Sequence, residues 1–134
     1  NFDLYNRTVT LGNISESELY SVYKYASVVP VTSKFEGGFP WQACEALFMK
    51  VPLVLSNIDV VEERMKSCGF SGENSQILLF EPTDYLSLSE CISEAIDNKK
   101  EYLNRQEKFS SALLSWDWKQ AAGQYYKILF DKEW

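Results

Sequence analysis

Apolar residues occur along the chain in short runs that alternate with helix-spaced stripes. Four runs rich in β-branched and aliphatic residues predict strands, at Thr8 to Leu11, Val28 to Thr32, Leu53 to Ser56 and Gln76 to Phe80. The segments after these runs place apolar residues three and four positions apart, which is typical of helices with one buried face. Strands that alternate with helices pair in parallel through crossover connections. The pattern therefore predicts an α/β fold with a parallel sheet of about four strands and flanking helices.

Local signals predict where several helices begin and end. Ser15 and Glu18 have the spacing of a capping box, in which each side chain bonds to a backbone N–H of the first turn. Acidic residues near its start and a glycine after its end favour a helix from about Asp59 to Ser67. Core packing is expected for Trp116 and Trp118, which open the last helix. The apolar stripe expected to lie on one face of that helix is Trp118, Ala121, Ala122, Tyr125, Ile128 and Leu129.

Composition narrows the class of protein. The 134 residues amount to one domain, residues 1–134, and 46% of them are hydrophobic, so a core can form. A net charge of -6 without clustered Lys and Arg argues against nucleic acid as a partner. No apolar run approaches the roughly 20 residues of a membrane span, and no signal-peptide pattern is present, so we expect a cytoplasmic setting. With no histidine, the chain lacks Ser-His and Cys-His catalysis, and Cys44, Cys68 and Cys91 are expected to be small buried or half-buried hydrophobes.

The candidate chemistry lies between the second and third predicted strands. Glu36, Gly37 and Gly38 follow the second strand, and a helix that can begin at Pro40 carries Glu45 about one and a half turns from its start. Open parallel sheets bind ligands in such strand-to-helix loops. Paired glycines let a ligand approach the backbone, and the helix start favours an anionic or hydroxyl-rich ligand. An ordinary turn that needs a positive φ angle also explains the glycines and, from spacing alone, is the commoner case, so both interpretations stay open.

The two glutamates suit a sugar ligand, because a carboxylate can accept two hydrogen bonds from neighbouring hydroxyls. Glu45 has largely apolar neighbours and needs a partner if it is buried. Lys34 is expected to be solvated, as lysines at strand exits usually are. Trp41 is a candidate for stacking on a sugar or a base.

Three stretches, Glu36 to Pro40, Glu45 to Leu47 and Val51 to Ser56, resemble the donor-site signature of retaining GT-B glycosyltransferases of the group 1 type, a family that includes many bacterial polysaccharide and lipid glycosyltransferases. The stretches around them also resemble this family in order: Val9 to Ser15 the strand and helix before the signature, Phe80 to Asp84 the strand end after it, and Ser115-Trp116 with Ala121 the closing helix. The resemblance covers almost the whole chain. It implies a Rossmann-like sheet that forms part of a GT-B C-terminal, donor-binding domain.

The resemblance also implies roles for individual residues. Glu36 would be the catalytic residue, and with nearby backbone amides it would hold the hydroxyls and phosphates of the donor sugar. Glu45 would bind the ribose of the nucleotide. The residues implied in donor binding are Gly37, Gly38, Phe39, Glu45, Asn13 and Ile14, the last two lying against the base. The implied reaction transfers a hexosyl group from a nucleotide-diphosphate sugar to a glycan or lipid acceptor, with retention and without a metal or other cofactor.

The same resemblance implies that the chain is the second half of its domain. Two further strands, which carry the basic pair that neutralises the diphosphate, and an acceptor domain are expected before Asn1. In the family these strands lie between Thr8 to Leu11 and Val28 to Thr32. We therefore expect the chain alone to be inactive, and to self-associate or rearrange at the exposed strand edge. The full-length protein is a candidate for peripheral association with the inner face of the membrane.

Two other interpretations remain. The first is a non-catalytic flavodoxin-like interaction domain such as a receiver, but receivers need a cluster of acids after an early strand and a lysine after a later one. Ser56-Asn57 and Phe80-Glu81 do not supply that arrangement. The second is a scaffold that has lost transferase activity, which turnover assays on the full-length protein would distinguish.

Overall fold

The computed structural model describes residues 5–71, 74–115 and 117–130. In these residues three parallel strands form one sheet in the order β1 (Val29–Val31), β2 (Leu53–Ser56) and β3 (Leu78–Phe80). In the register of the sheet, Val54 pairs with Pro30 on one side and with Leu78 on the other. The α/β class and the parallel pairing that the hydrophobic pattern predicts are confirmed.

Helices flank the sheet and connect its strands. A 3-10 turn (Tyr5–Arg7) comes first, and the described helices are α1 (Glu16–Tyr25), α2 (Trp41–Phe48), α3 (Asp59–Ser67), α4 (Tyr85–Asp97), α5 (Lys99–Leu114) and α6 (Trp118–Phe130). The predicted capping box begins α1, because Ser15 Oγ accepts from the Glu18 amide and Glu18 Oε2 accepts from the Ser15 amide at 2.7 Å. α3 has the predicted limits.

The predicted first strand, Thr8 to Leu11, is wrong. These residues have irregular backbone, and Val9 is 81% exposed. A β-rich run becomes a strand only when a neighbour supplies partners for its backbone, and no such neighbour is present in the described residues. β1 consequently forms an edge of the sheet, which fits the proline at its centre, since Pro30 cannot donate to a ladder.

The centre of the core is β2. All four of its residues are buried, and Val54 alternates with Leu53 and Leu55 so that the strand contributes to clusters on both faces of the sheet. On the first face the Phe109 ring of α5 lies 5.9 Å from the Phe39 ring, measured between centroids. The fold is therefore held by a strand covered on both sides, as its unbroken apolar sequence indicates.

Two buried side chains of α5 bond to the backbone at the amino ends of the strands. Gln106 accepts from the Leu53 amide at 2.9 Å and donates to the Val51 carbonyl at 2.7 Å. The Tyr102 hydroxyl donates to the Leu53 carbonyl and accepts from the Leu78 amide at 3.0 Å. These bonds satisfy backbone groups that the short ladders leave without partners, and they close this end of the sheet.

The core packing predicted for Trp118, at the start of α6, is wrong. Trp118 is 90% exposed, Ile128 77% and Leu129 70%, and no described residue of α6 is buried. Helical periodicity predicts which side chains share a face but not which surface covers that face. Trp116, expected in the core, lies outside the described residues.

Candidate functional site

A cleft of about 600 Å³ lies at the carboxyl ends of the three strands. Its walls come from the loop after β1, the segment that joins β2 to α3, and the residues that follow β3. The lining includes Lys34, Glu36, Gly37, Asn57, Asp59 and Glu81. The glutamate and glycine loop selected from the sequence thus faces a cleft at the edge of the sheet where parallel α/β folds place their ligands.

Glu36 is held at the wall of the cleft by its own loop. Ser33 Oγ donates to Glu36 Oε1 at 2.5 Å, and both residues are half-buried. A hydroxyl that donates to a carboxylate forms a short, charge-assisted hydrogen bond. The bond orients Glu36 while its second oxygen can accept from hydroxyls in the cleft.

Gly37 and Gly38 are exposed, and neither has the positive φ angle of an ordinary glycine turn. Positive φ among the described glycines occurs at Gly12 and Gly69 instead. A Cβ atom built at Gly37 or Gly38 would meet no heavy atom within 4 Å. The turn interpretation of this pair is therefore wrong, because neither local conformation nor packing in the described structure requires glycine here. Their lack of side chains leaves the backbone open to a ligand.

Phe39 anchors the glycine loop to the core. Its half-buried ring packs against Phe109, and the next residue, Pro40, is buried directly before α2 begins. Trp41 opens the helix with 80% of its surface exposed, so its ring is accessible for stacking. The loop therefore joins an accessible glycine pair to a fixed helix start.

Glu45 lies on α2 and is not among the residues that line the cleft around Glu36. It is half-buried, and its Oε2 accepts from the Tyr23 hydroxyl of α1 at 2.7 Å. Tyr23 thus provides the partner that the sequence led us to expect for Glu45 if it were buried, although the residue is only half-buried. Burial, together with the Glu45 carboxylate, raises the pKa of Tyr23, so the phenol keeps its proton at neutral pH. The structure thus gives Glu36 and Glu45 separate partners on separate elements.

Asn13 and Ile14 lie directly before the capping box of α1 and outside the lining of the cleft. Asn13 is exposed and Ile14 is half-buried. Gly12 precedes them with a φ of 62°, a conformation that glycine adopts readily. The chain bends at Asn13, while the contact of Asn13 and Ile14 with a base stays a prediction.

A hydrogen bond between Asn57 and Glu81 joins the ends of two strands at the cleft. Neither residue was predicted from the sequence to be a site residue. Asn57 follows β2 and its Nδ2 donates at 2.9 Å to Oε1 of Glu81, which follows β3. Their positions in the sequence could have indicated this, because residues directly after neighbouring parallel strands meet at the same edge of the sheet.

Carboxylates dominate the described walls of the cleft. Glu36, Asp59, Glu63 and Glu81 all line it, against the single cation Lys34, which is exposed as expected. Among the described residues, no three His, Cys, Asp or Glu side chains are grouped as a metal site would require. The cleft therefore offers mainly hydrogen-bond acceptors, which suit a ligand rich in hydroxyls.

The sequence matches the family described as glycosyl transferases group 1 over residues 1–112. Because the match spans most of the 134 residues, the chain belongs to this family, and its α/β fold is that of a glycosyltransferase domain. No curated protein matches the chain. The match includes the glycine loop and α2 but ends before α6, so the predicted likeness of α6 to a closing helix stays a prediction. In the described part of the chain, no helix is both long and apolar enough to cross a membrane.

Proposed function

We propose that this glycosyltransferase domain binds a nucleotide-diphosphate sugar and takes part in transferring its hexosyl group to a glycan or lipid acceptor, with retention of configuration, as in GT-B enzymes. The observation that carries the proposal is the cleft at the carboxyl edge of the sheet, with Glu36 on its wall beside two glycines that the fold itself does not require. Family membership supports the transfer of a sugar. The cytoplasmic setting inferred from the sequence stays a prediction.

Different residues bind different parts of the donor. Glu36 is the catalytic residue, whose carboxylate accepts from the hydroxyls of the sugar. Gly37, Gly38 and Phe39 offer backbone amides to the sugar and the phosphates, in a loop without side chains at its two glycines. Glu45 accepts from the ribose, and the turn at Asn13 and Ile14 lies against the base.

The negative charge of the cleft walls opposes diphosphate binding by this chain alone. A diphosphate is negatively charged, whereas the described walls carry four carboxylates and one lysine. Binding therefore requires cations that these walls do not supply. We propose that this domain contributes the donor-sugar and ribose half of the site, that it is inactive alone, and that no metal takes part.

The test is donor binding by the full-length protein, measured by calorimetry with a panel of nucleotide sugars. We expect Glu36→Ala and Glu45→Ala each to weaken binding about 10- to 100-fold, the value of hydrogen bonds to a charged group. Glu90→Ala is the matched control, since Glu90 is exposed on α4 outside the cleft. Circular dichroism checks that all variants fold.

The outcomes separate the interpretations. Unchanged binding in both cleft variants would contradict the site. Donor binding without turnover would favour a scaffold that has lost activity, and inversion at the anomeric carbon, followed by NMR, would contradict the proposed stereochemistry.

A further inference from the structure

Helices α1 and α2 are joined by a hydrogen bond between two side chains. The Tyr23 hydroxyl donates to Oε2 of Glu45 at 2.7 Å, although the residues are 22 positions apart in sequence. Tyr23 is only 8% exposed, and its ring belongs to the apolar cluster that also contains Ala43 and Ala46 of α2. The core therefore fixes the donor in place, and the donor approaches one particular oxygen of the carboxylate.

The remaining oxygen of Glu45, Oε1, has no hydrogen-bond partner among the described residues. Burial raises the pKa of Tyr23, so its hydroxyl remains a donor to Oε2 at neutral pH. Because that bond is charge-assisted, it restrains the rotation of the carboxylate more than a bond between neutral groups would.

Packing alone does not account for the pair. Glu45 stands beside the buried residues Ala43, Ala46 and Leu47, where an aliphatic side chain could pack against the Tyr23 ring without removing a carboxylate from water. Joining the two helices therefore does not by itself require a tyrosine and a glutamate at this contact.

We propose that Tyr23 is a positioning residue that orients the Glu45 carboxylate so that Oε1 accepts hydrogen bonds from the ribose hydroxyls of the donor nucleotide. The inference rests on the proposed function, because it takes Glu45 as the ribose-binding residue. Tyr23 itself does not touch the nucleotide. Without its hydroxyl, the side chain of Glu45 would occupy several rotamers, and ribose binding would have to restrict them.

The test compares ribose recognition in the full-length wild-type protein and in Tyr23→Phe. Calorimetry measures the affinities of UDP, GDP, ADP and CDP, and of the 2′,3′-dideoxy form of whichever nucleotide binds. We expect the wild-type protein to prefer the ribonucleotide about 10- to 100-fold. In Tyr23→Phe the preference should fall about 3- to 10-fold, while the affinity for the dideoxy form stays unchanged. Tyr25→Phe, which removes a hydroxyl from a 78% exposed tyrosine on the same helix, should behave as the wild type.

A merely structural role for Tyr23 gives a different result. A Tyr23→Phe variant that keeps the full ribose preference, or that weakens the ribo and dideoxy forms equally, overturns the positioning role and leaves the proposed function in place. A wild-type protein that binds none of the four nucleotides overturns the proposed function and this inference with it.

A crystal structure of the wild-type protein with the bound nucleotide provides a measurement that depends on no variant. We expect Glu45 to contact the Tyr23 hydroxyl through one oxygen and a ribose hydroxyl through the other. If Glu45 keeps its bond to Tyr23 while the ribose lies elsewhere, the inference is wrong even where Tyr23→Phe fails to fold.

Discussion

At the amino ends of β2 and β3, buried side chains of α5 bond to the backbone, whereas at the carboxyl ends exposed loops carry carboxylates and a glycine pair. Gln106 and Tyr102 at the first end are 2% and 1% exposed. At the second end Gly37 and Gly38 touch nothing that would obstruct a side chain. The same strands therefore have one end arranged for stability and one end left open for a ligand. Substitutions at the two ends should separate folding from binding.

The largest effect on folding should come from Gln106→Ala at the amino end. The variant leaves the Leu53 amide and the Val51 carbonyl buried without their side-chain partner. We expect the free energy of unfolding, measured in urea, to fall by about 3 kcal/mol, because each unsatisfied buried group costs roughly 1–3 kcal/mol. Gln42→Ala, at an exposed glutamine of α2, should change it by less than about 0.5 kcal/mol. Equal stability of the two variants would remove the contrast between the ends.

A pair of glycine variants should sharpen the comparison. Gly69 has a φ of 84°, so Gly69→Ala should cost about 1–2 kcal/mol of unfolding free energy. Gly38→Ala should change stability by less than about 0.5 kcal/mol, since Gly38 has no positive φ and its Cβ would meet no atom within 4 Å. If the donor lies against this loop as proposed, Gly38→Ala should nevertheless weaken donor binding about tenfold, because the new methyl group would occupy part of its space. Unchanged donor affinity would show that the open backbone at Gly38 does not serve a ligand.

The smallest effect concerns the start of α1, directly after Asn13 and Ile14. Hydrogen bonds from the side chain and then the backbone of Ser15 hold the pKa of Glu18 below its ordinary value of 4.5. A carboxyl group with a lowered folded-state pKa stabilises the fold above its unfolded pKa, and the contribution disappears as pH falls through the folded pKa. Glu18→Gln should therefore lower the melting temperature near neutral pH, and the difference from the wild type should shrink below about pH 4. A difference that grows in acid would contradict the capping box.

Features of the fold encoded by neighbouring residues could be predicted from the sequence. The capping box at Ser15 and the limits of α3 depend on side chains within a few positions of each other, and both predictions are confirmed. The strand predicted at Thr8 to Leu11 depends on a backbone partner that can come from anywhere in a chain, and that prediction is wrong. The stripe of α6 likewise predicts a face without naming the surface that would cover it.

The candidate site shows the same difference between features set by order along the chain and features that depend on distant residues. The position of Glu36 and the glycine pair at the carboxyl edge follows from the order of strands and helices alone, so it could be predicted. The sequence around Glu45 indicated that a partner was needed, but Tyr23 lies 22 positions away on another helix, and only the packing of α1 against α2 brings them together. Asn57 and Glu81 could have been predicted as site residues from the sequence, because each directly follows a strand.

Pro30 affects how this protein would behave in concentrated solution. The Val29 amide donates to the Pro52 carbonyl, and in a parallel strand successive residues alternate sides, so the nitrogen of Pro30 points away from β2. The described outer edge of β1 therefore has no N–H at its centre, where an incoming strand would need a donor. An open strand edge generally invites pairing, and self-association of the chain stays a prediction, but the proline makes the centre of this edge a poorer template for an incoming strand.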